Sequence, residues 1–171
     1  MYFKTLPKII YPYTDADGKK HGAFVPDIFR RVQLDRFFKN RLVLVDYFVD
    51  DVEKPEDVAH KYYGSSEYHW IVLMSNDIVD VDKEWPKKSR DLPKYVKDKY
   101  GENNSSDVHH YVIDGTDIIV DWDAAKVASG EYKEVTNFDY ESALNDKKRQ
   151  IFLLDKIYVR DIVEQYKQLM G

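Results

Sequence analysis

Pro55-Glu56-Asp57-Val58-Ala59-His60-Lys61-Tyr62-Tyr63-Gly64, continued by Ser65-Ser66-Glu67-Tyr68-His69-Trp70-Ile71-Val72-Leu73-Met74-Ser75-Asn76-Asp77, reads as two short helices separated by a sharp stop. Proline suits the first helical position, where its missing N–H costs nothing, and Glu56 and Asp57 complement the positive end of the helix dipole. Gly64 supplies a left-handed C-cap. Val58, Ala59, Tyr62 and Tyr63 make the core face of the first helix. Ser65 or Ser66 caps the second at once, and Trp70, Ile71, Leu73 and Met74 cover more than one of its sides, as in a buried helix. Asn76-Asp77 ends it.

Upstream, residues 42–49 (LVLVDYFV) are β-branched and aromatic on both alternating faces apart from Asp46, which predicts a largely covered strand. Asp27 is an N-cap candidate for a helix over residues 27–32. Residues 1–25 mix Pro7, Pro12, Gly18 and Gly22 with aromatic side chains and show no sustained period, so they read as an arm or loop. Such an arm cannot build a core of its own, and Phe3, Tyr11, Tyr13 and Phe24 are therefore assigned to a protein interface, with Ile28 and Phe29 just beyond them. Downstream, residues 92–100 predict a helix between Pro93 and Gly101. Asp114-Gly115 between VHHYVI and TDIIVD predicts a hairpin with a type I′ turn. Residues 138–148 predict a helix capped by Thr136 or Asn137, residues 151–154 a short buried strand, and Val159, Ile162, Val163, Tyr166, Leu169 and Met170 one face of a last helix.

The whole is an α+β chain of 171 residues with a formal charge of -5, no cysteine and fourteen tyrosines. Disulfides, thiolate chemistry and cysteine-held zinc are excluded. The two charge signs are interspersed, which argues against a nucleic-acid partner, and the apolar run at residues 70–74 is too short for a membrane span. Met1-Tyr2-Phe3-Lys4 opens neither a secretory nor a transit peptide, which predicts a cytoplasmic chain. Asp77, Asp80, Asp82 and Glu84, and again Asp117, Asp121 and Asp123, raise a metal or glycosidase-like site, but their spacing matches no motif and a solvated acidic loop is the simpler reading. Asp15-Ala16-Asp17-Gly18 is a turn rather than a calcium loop. His109 and His110, adjacent in a strand, are expected on opposite faces and so unable to chelate one ion, while His60 and His69 read as structural. No nucleophile elbow, phosphate loop or zinc motif occurs, so no enzyme activity and no cofactor are expected.

The run from Pro55 to Asp77 resembles the small baseplate wedge subunit of contractile-tailed bacteriophages. The resemblance is carried by Pro55, Glu56, Ala59, Tyr63 and Gly64 in the first helix and by Trp70, Leu73, Met74 and Asn76 in the second. It is dense over residues 42–85, with scattered support at Asp27-Ile28-Phe29-Arg30 and Lys148-Arg149-Gln150-Ile151. The same segment resembles a LysM module, a β-α-α-β core over about 42–86 closed by a strand at 149–154. The resemblances imply an N-terminal arm over 1–26 and a single α+β domain over 27–171, in which an insertion at about 87–148 carries a β-hairpin and a C-terminal helix occupies about 157–170. The family resemblance implies a structural role: other wedge and hub proteins as partners, clamping of neighbouring wedges around the central hub in a sixfold ring, and a place in the virion tail baseplate after assembly in the host cytoplasm. The rival expectations are a LysM-type peptidoglycan- or glycan-binding module and a cell-wall hydrolase accessory using Asp80, Asp82 or Asp121.

Overall fold

The computed structural model describes residues 6–29 and 35–170. It is a mixed α and β structure whose described residues divide into two compact units, one from residues up to 47 with 53–79 and 151 onward, the other from 48–52 with 80–150.

The first unit contains the two helices that the sequence punctuates most strongly, α1 (Pro55–Tyr63) and α2 (His69–Ser75). The Asp57 carboxylate accepts from the Lys54 amide at 3.0 Å to close the N-terminus of α1, and Gly64 ends it at φ 81°. The Ser65 hydroxyl accepts from the Glu67 amide to open the 3-10 turn that leads into α2. Strand β3 (Leu44–Phe48) pairs with β7 (Gln150–Leu154) in a two-stranded sheet. The Asp155 amide donates to the Val43 carbonyl and the Val49 amide to that of Arg149, so the two strands run antiparallel. A core of Phe38, Val43, Ile71, Leu154 and Ile162 joins these elements to α7 (Val159–Met170), with Tyr63, Trp70 and Met74 packed on it. In α7 the buried residues are Ile162, Tyr166 and Met170, an i, i+4, i+8 stripe.

Three expectations fail in this unit. Residues 42–49 are not a largely covered strand. Arg41–Val43 form a 3-10 turn capped by the Asn40 side chain, Leu42 is 91% exposed, and within β3 Val45, Asp46 and Phe48 are exposed. Residues 27–29 form a turn in which Asp27 accepts from the Phe29 amide at 3.2 Å, rather than opening a helix; the rest of that predicted helix lies outside the described residues. The arm is not a loop: Lys8–Thr14 (β1) and Lys20–Pro26 (β2) pair antiparallel along their whole length. Their connection is pinned by Asp15, whose carboxylate accepts from the amides of Asp17 and Lys19 and from His21 Nε2, with Gly18 at φ 79°.

The second unit carries a sheet ordered β5-β4-β6, from Val108–Ile113 (β4), Ile119–Val120 (β5) and Tyr132–Thr136 (β6), all antiparallel. The Asp114-Gly115 hairpin is present, but only Gly115 takes positive φ, so the turn is not type I′, which needs it at both central positions. Strand β6 was not expected. Helices α3 (Val81–Glu84), α4 (Leu92–Tyr100), α5 (Ala124–Ala128) and α6 (Asn137–Lys147) complete the unit, α6 capped by Thr136 as expected. Buried Arg149 holds this unit's two chain segments together. It donates to Asp51 at 2.6 Å and to the Val49 carbonyl at 3.3 Å.

Candidate assembly surface

Strand pairing fixes what each face of the β1–β2 ribbon presents. Ile10 opposes Phe24 on one face, while Ile9 opposes Val25, Tyr11 opposes Ala23 and Tyr13 opposes His21 on the other. Gly22 lies opposite Pro12, where a Cβ would come within 2.8 Å of the Ile10 side chain, so glycine lets Ile10 lie across the ribbon. Ile10 is 64%, Phe24 75% and Tyr11 57% exposed, and Tyr13 stacks on His21. Ile28 and Phe29, the latter 84% exposed, continue the apolar surface through the turn after β2. A two-stranded ribbon seldom leaves large apolar side chains exposed on both faces without a partner to cover them.

The expected interface residues are thus distributed as follows. The ribbon brings Tyr11, Tyr13 and Phe24 together, with Phe24 on the face opposite the two tyrosines; Ile28 and Phe29 follow it, and Phe3 lies outside the described residues. Ile9 and Ile10 belong to the same surface and were missed, although their adjacency in a segment otherwise rich in aromatics was the available signal.

The motif residues sit in and around the core of the first unit. Pro55 and Ala59 are buried, Glu56 is exposed in the first turn of α1, and Leu73 and Met74 are half-buried. Trp70 packs on Tyr166 with ring centroids 5.0 Å apart. The Tyr63 hydroxyl donates to the Leu154 carbonyl at 2.9 Å, and burial pushes its pKa up, aided by Tyr62. Asn76 makes three bonds: its amide donates to the carbonyls of Val72 (2.8 Å) and Phe152 (2.7 Å), and its oxygen accepts from the Phe152 amide (2.7 Å).

The acidic residues of the sequence are mostly engaged locally. Asp80 caps α3 and pairs with Lys83, Asp123 caps α5, and Asp77 is paired with Lys39. Among the described residues no group of three or more histidine, cysteine or acidic side chains is placed to hold a metal ion. His109 and His110 do not point apart. A register shift between Val108 and His110 breaks the strand alternation, so the two Nδ1 atoms lie 2.8 Å from each other and His109 stacks on Tyr140 at 3.9 Å. Partial burial, and then His109, lower the His110 pKa. In the same unit, burial would raise the Glu141 carboxyl, but hydrogen bonds from Lys99 and Tyr100 outweigh it and hold the group below its ordinary value, while Lys99 is pushed up to about 12 by Glu141.

The family described as base plate wedge protein 53 matches residues 1–124, which include the ribbon, the α1–α2 pair and β4–β5. Over 78 residues the chain is 31% identical to the baseplate wedge protein gp53 of Enterobacteria phage T4, a match covering 43% of this chain and 39% of that protein. The match therefore spans well under half of that relative's length. No helix among the described residues is long and apolar enough to cross a membrane. With its family match extending over more than half its length, the chain belongs to the base plate wedge protein 53 family of phage baseplate structural proteins.

Proposed function

We propose that this chain ties neighbouring wedge subunits together around the central hub of a phage tail baseplate, and that its β1–β2 ribbon is the main docking element. The observation that carries the reading is the ribbon itself, a hairpin with exposed apolar side chains on both faces, Ile10 and Phe24 on one and Ile9, Tyr11 and Tyr13 on the other. Such an element gains buried area on each side when it enters a gap between two other proteins, and each buried aromatic ring brings a large apolar payload. The β3–α1–α2–β7 core, with a stitched helix end and a capped helix start, is the rigid base that such an arm requires. That β-α-α-β order is also what suggests a LysM-like scaffold, used here for assembly rather than for glycan. Modest contacts repeated around a sixfold ring become cooperative, because the last contacts form between partners already held in place. The role is structural, carried out in the virion after assembly in the host.

Co-expression of the chain with the other baseplate subunits of its genome, followed by sizing and mass measurement, tests the reading. Co-purification in a wedge-sized complex is the expected result. A chain that stays alone while its candidate neighbours assemble without it would overturn the proposal.

A further inference from the structure

The second unit has an exposed apolar surface that the assembly reading leaves unused. Strand β5 pairs with β4 along one edge, and among the described residues no strand pairs with its other edge. Beside it an open groove of about 500 Å³ runs past Ile119, Val120, Asp121, Trp122, Lys126 and Tyr132. Trp122 is 65% exposed, and Ile118 and Ile119 are exposed with it. The chain through this edge, Asp114-Gly115-Thr116-Asp117-Ile118-Ile119-Val120-Asp121-Trp122-Asp123, holds four aspartates and no lysine or arginine.

These charges are not balanced within the groove. Lys126 donates to the Tyr132 hydroxyl at 3.1 Å, lies 3.1 Å from a Glu131 oxygen and sits over the Tyr132 ring, so its charge is already used. Asp123 spends one oxygen on the amides of Ala125 and Lys126. Asp117 and Asp121 have no hydrogen-bond or ion-pair partner among the described residues. Natural sheet edges are commonly guarded by lysine; here aspartates flank the edge, which repels a second copy of the same edge and attracts a positively charged strand.

We propose that this groove docks an extended segment of a neighbouring protein in which lysine or arginine alternates with aliphatic residues. The segment adds a strand to the open edge of β5, places a cation over the Trp122 indole beside Asp121, and lays its aliphatic side chains on Ile119. A sugar ring could also stack on an exposed indole, but it leaves the β5 edge unsatisfied, whereas a strand pairs with it. The inference rests on the assembly reading only in taking the segment's owner to be another baseplate protein.

The test uses the intact chain and three probes: a fluorescent eight-residue peptide alternating arginine and valine, its glutamate–valine counterpart, and an oligomer of N-acetylglucosamine. The arginine peptide is expected to bind saturably, to weaken as salt is added, and to lose about tenfold or more in affinity in both Trp122→Ala and Asp121→Asn. Asp161→Asn, which removes an acidic group on α7 instead, is expected to leave affinity unchanged; circular dichroism melts check that all variants fold. Because Asp121 is a surface residue, its variant keeps the test informative even if Trp122→Ala unfolds. Absence of saturable binding, equal binding of the acidic peptide, indifference to Asp121→Asn, or binding of the sugar oligomer in place of the peptide would each overturn the proposal. Loss of peptide binding together with normal entry into baseplate complexes would remove this groove and leave the assembly role standing.

Discussion

Asn76 shows what a single side chain contributes here. Its amide and oxygen satisfy both backbone groups of Phe152 and one carbonyl at the end of α2, bridging residues 76 positions apart. Asn76→Ala leaves those partly buried groups unpaired and is expected to cost about 2 kcal/mol in a urea melt. Asp51 has a different signature. Hydrogen bonds from the Ser89 hydroxyl and amide, then from Arg149, draw its pKa from 3.8 to about 2. A carboxyl held below its unfolded value contributes stability that is fully present above about pH 4 and is lost as the pH falls toward 2. Thermal melts between pH 6 and 2 should therefore show a steeper loss in that window for the native chain than for Asp51→Asn. Neither role was legible in the sequence: Asn76 stood out as part of a motif, but its partner strand lies far along the chain, and Asp51 is one aspartate among many until Arg149 folds against it.

At the scale of elements, what could be read was what is decided locally. Helices α1, α4 and α6 carry their own start or stop signals in Pro55 and Gly64, in Pro93 and Gly101, and in Thr136, and the apolar spacing of α7 is its own argument. Replacing Gly64, at φ 81°, by alanine is expected to cost about 1 kcal/mol, measurable as a lowered Tm. The β1–β2 ribbon escaped for a physical reason. Alternation betrays a strand only when one face is buried and the other wet, and here both faces mix polar with exposed apolar residues. Strand β6, with Tyr132 and Val135 among Lys133 and Glu134, is too short and polar to announce itself, and the slip at His109 is invisible until the partner strand is known. Since Ile10 and Phe24 are largely exposed, Ile10→Ser with Phe24→Ser is expected to change stability by less than about 0.5 kcal/mol while abolishing co-purification with other baseplate subunits. A large loss of stability would make the ribbon a folding element instead.

Across the whole molecule, each compact unit buries its own core and leaves its own apolar surface outside, the ribbon in the first and the β5 groove in the second. Family membership was legible in residues 55–77, which coincide with strongly capped helices inside the matched span; of the proposed docking ribbon, the aromatic residues were visible and the strand pairing was not. A ribbon that lies between other baseplate proteins in the assembled particle brings Phe24 within reach of one of them. A photo-crosslinking amino acid placed at position 24, in place of Phe24, tests this in intact baseplates, with the same residue at position 102 as an exposed control in the polar loop after α4. A discrete adduct between this chain and a different baseplate subunit is expected from position 24 and none from position 102. Assembled baseplates that contain the chain but give no adduct at position 24 would contradict that placement of the ribbon.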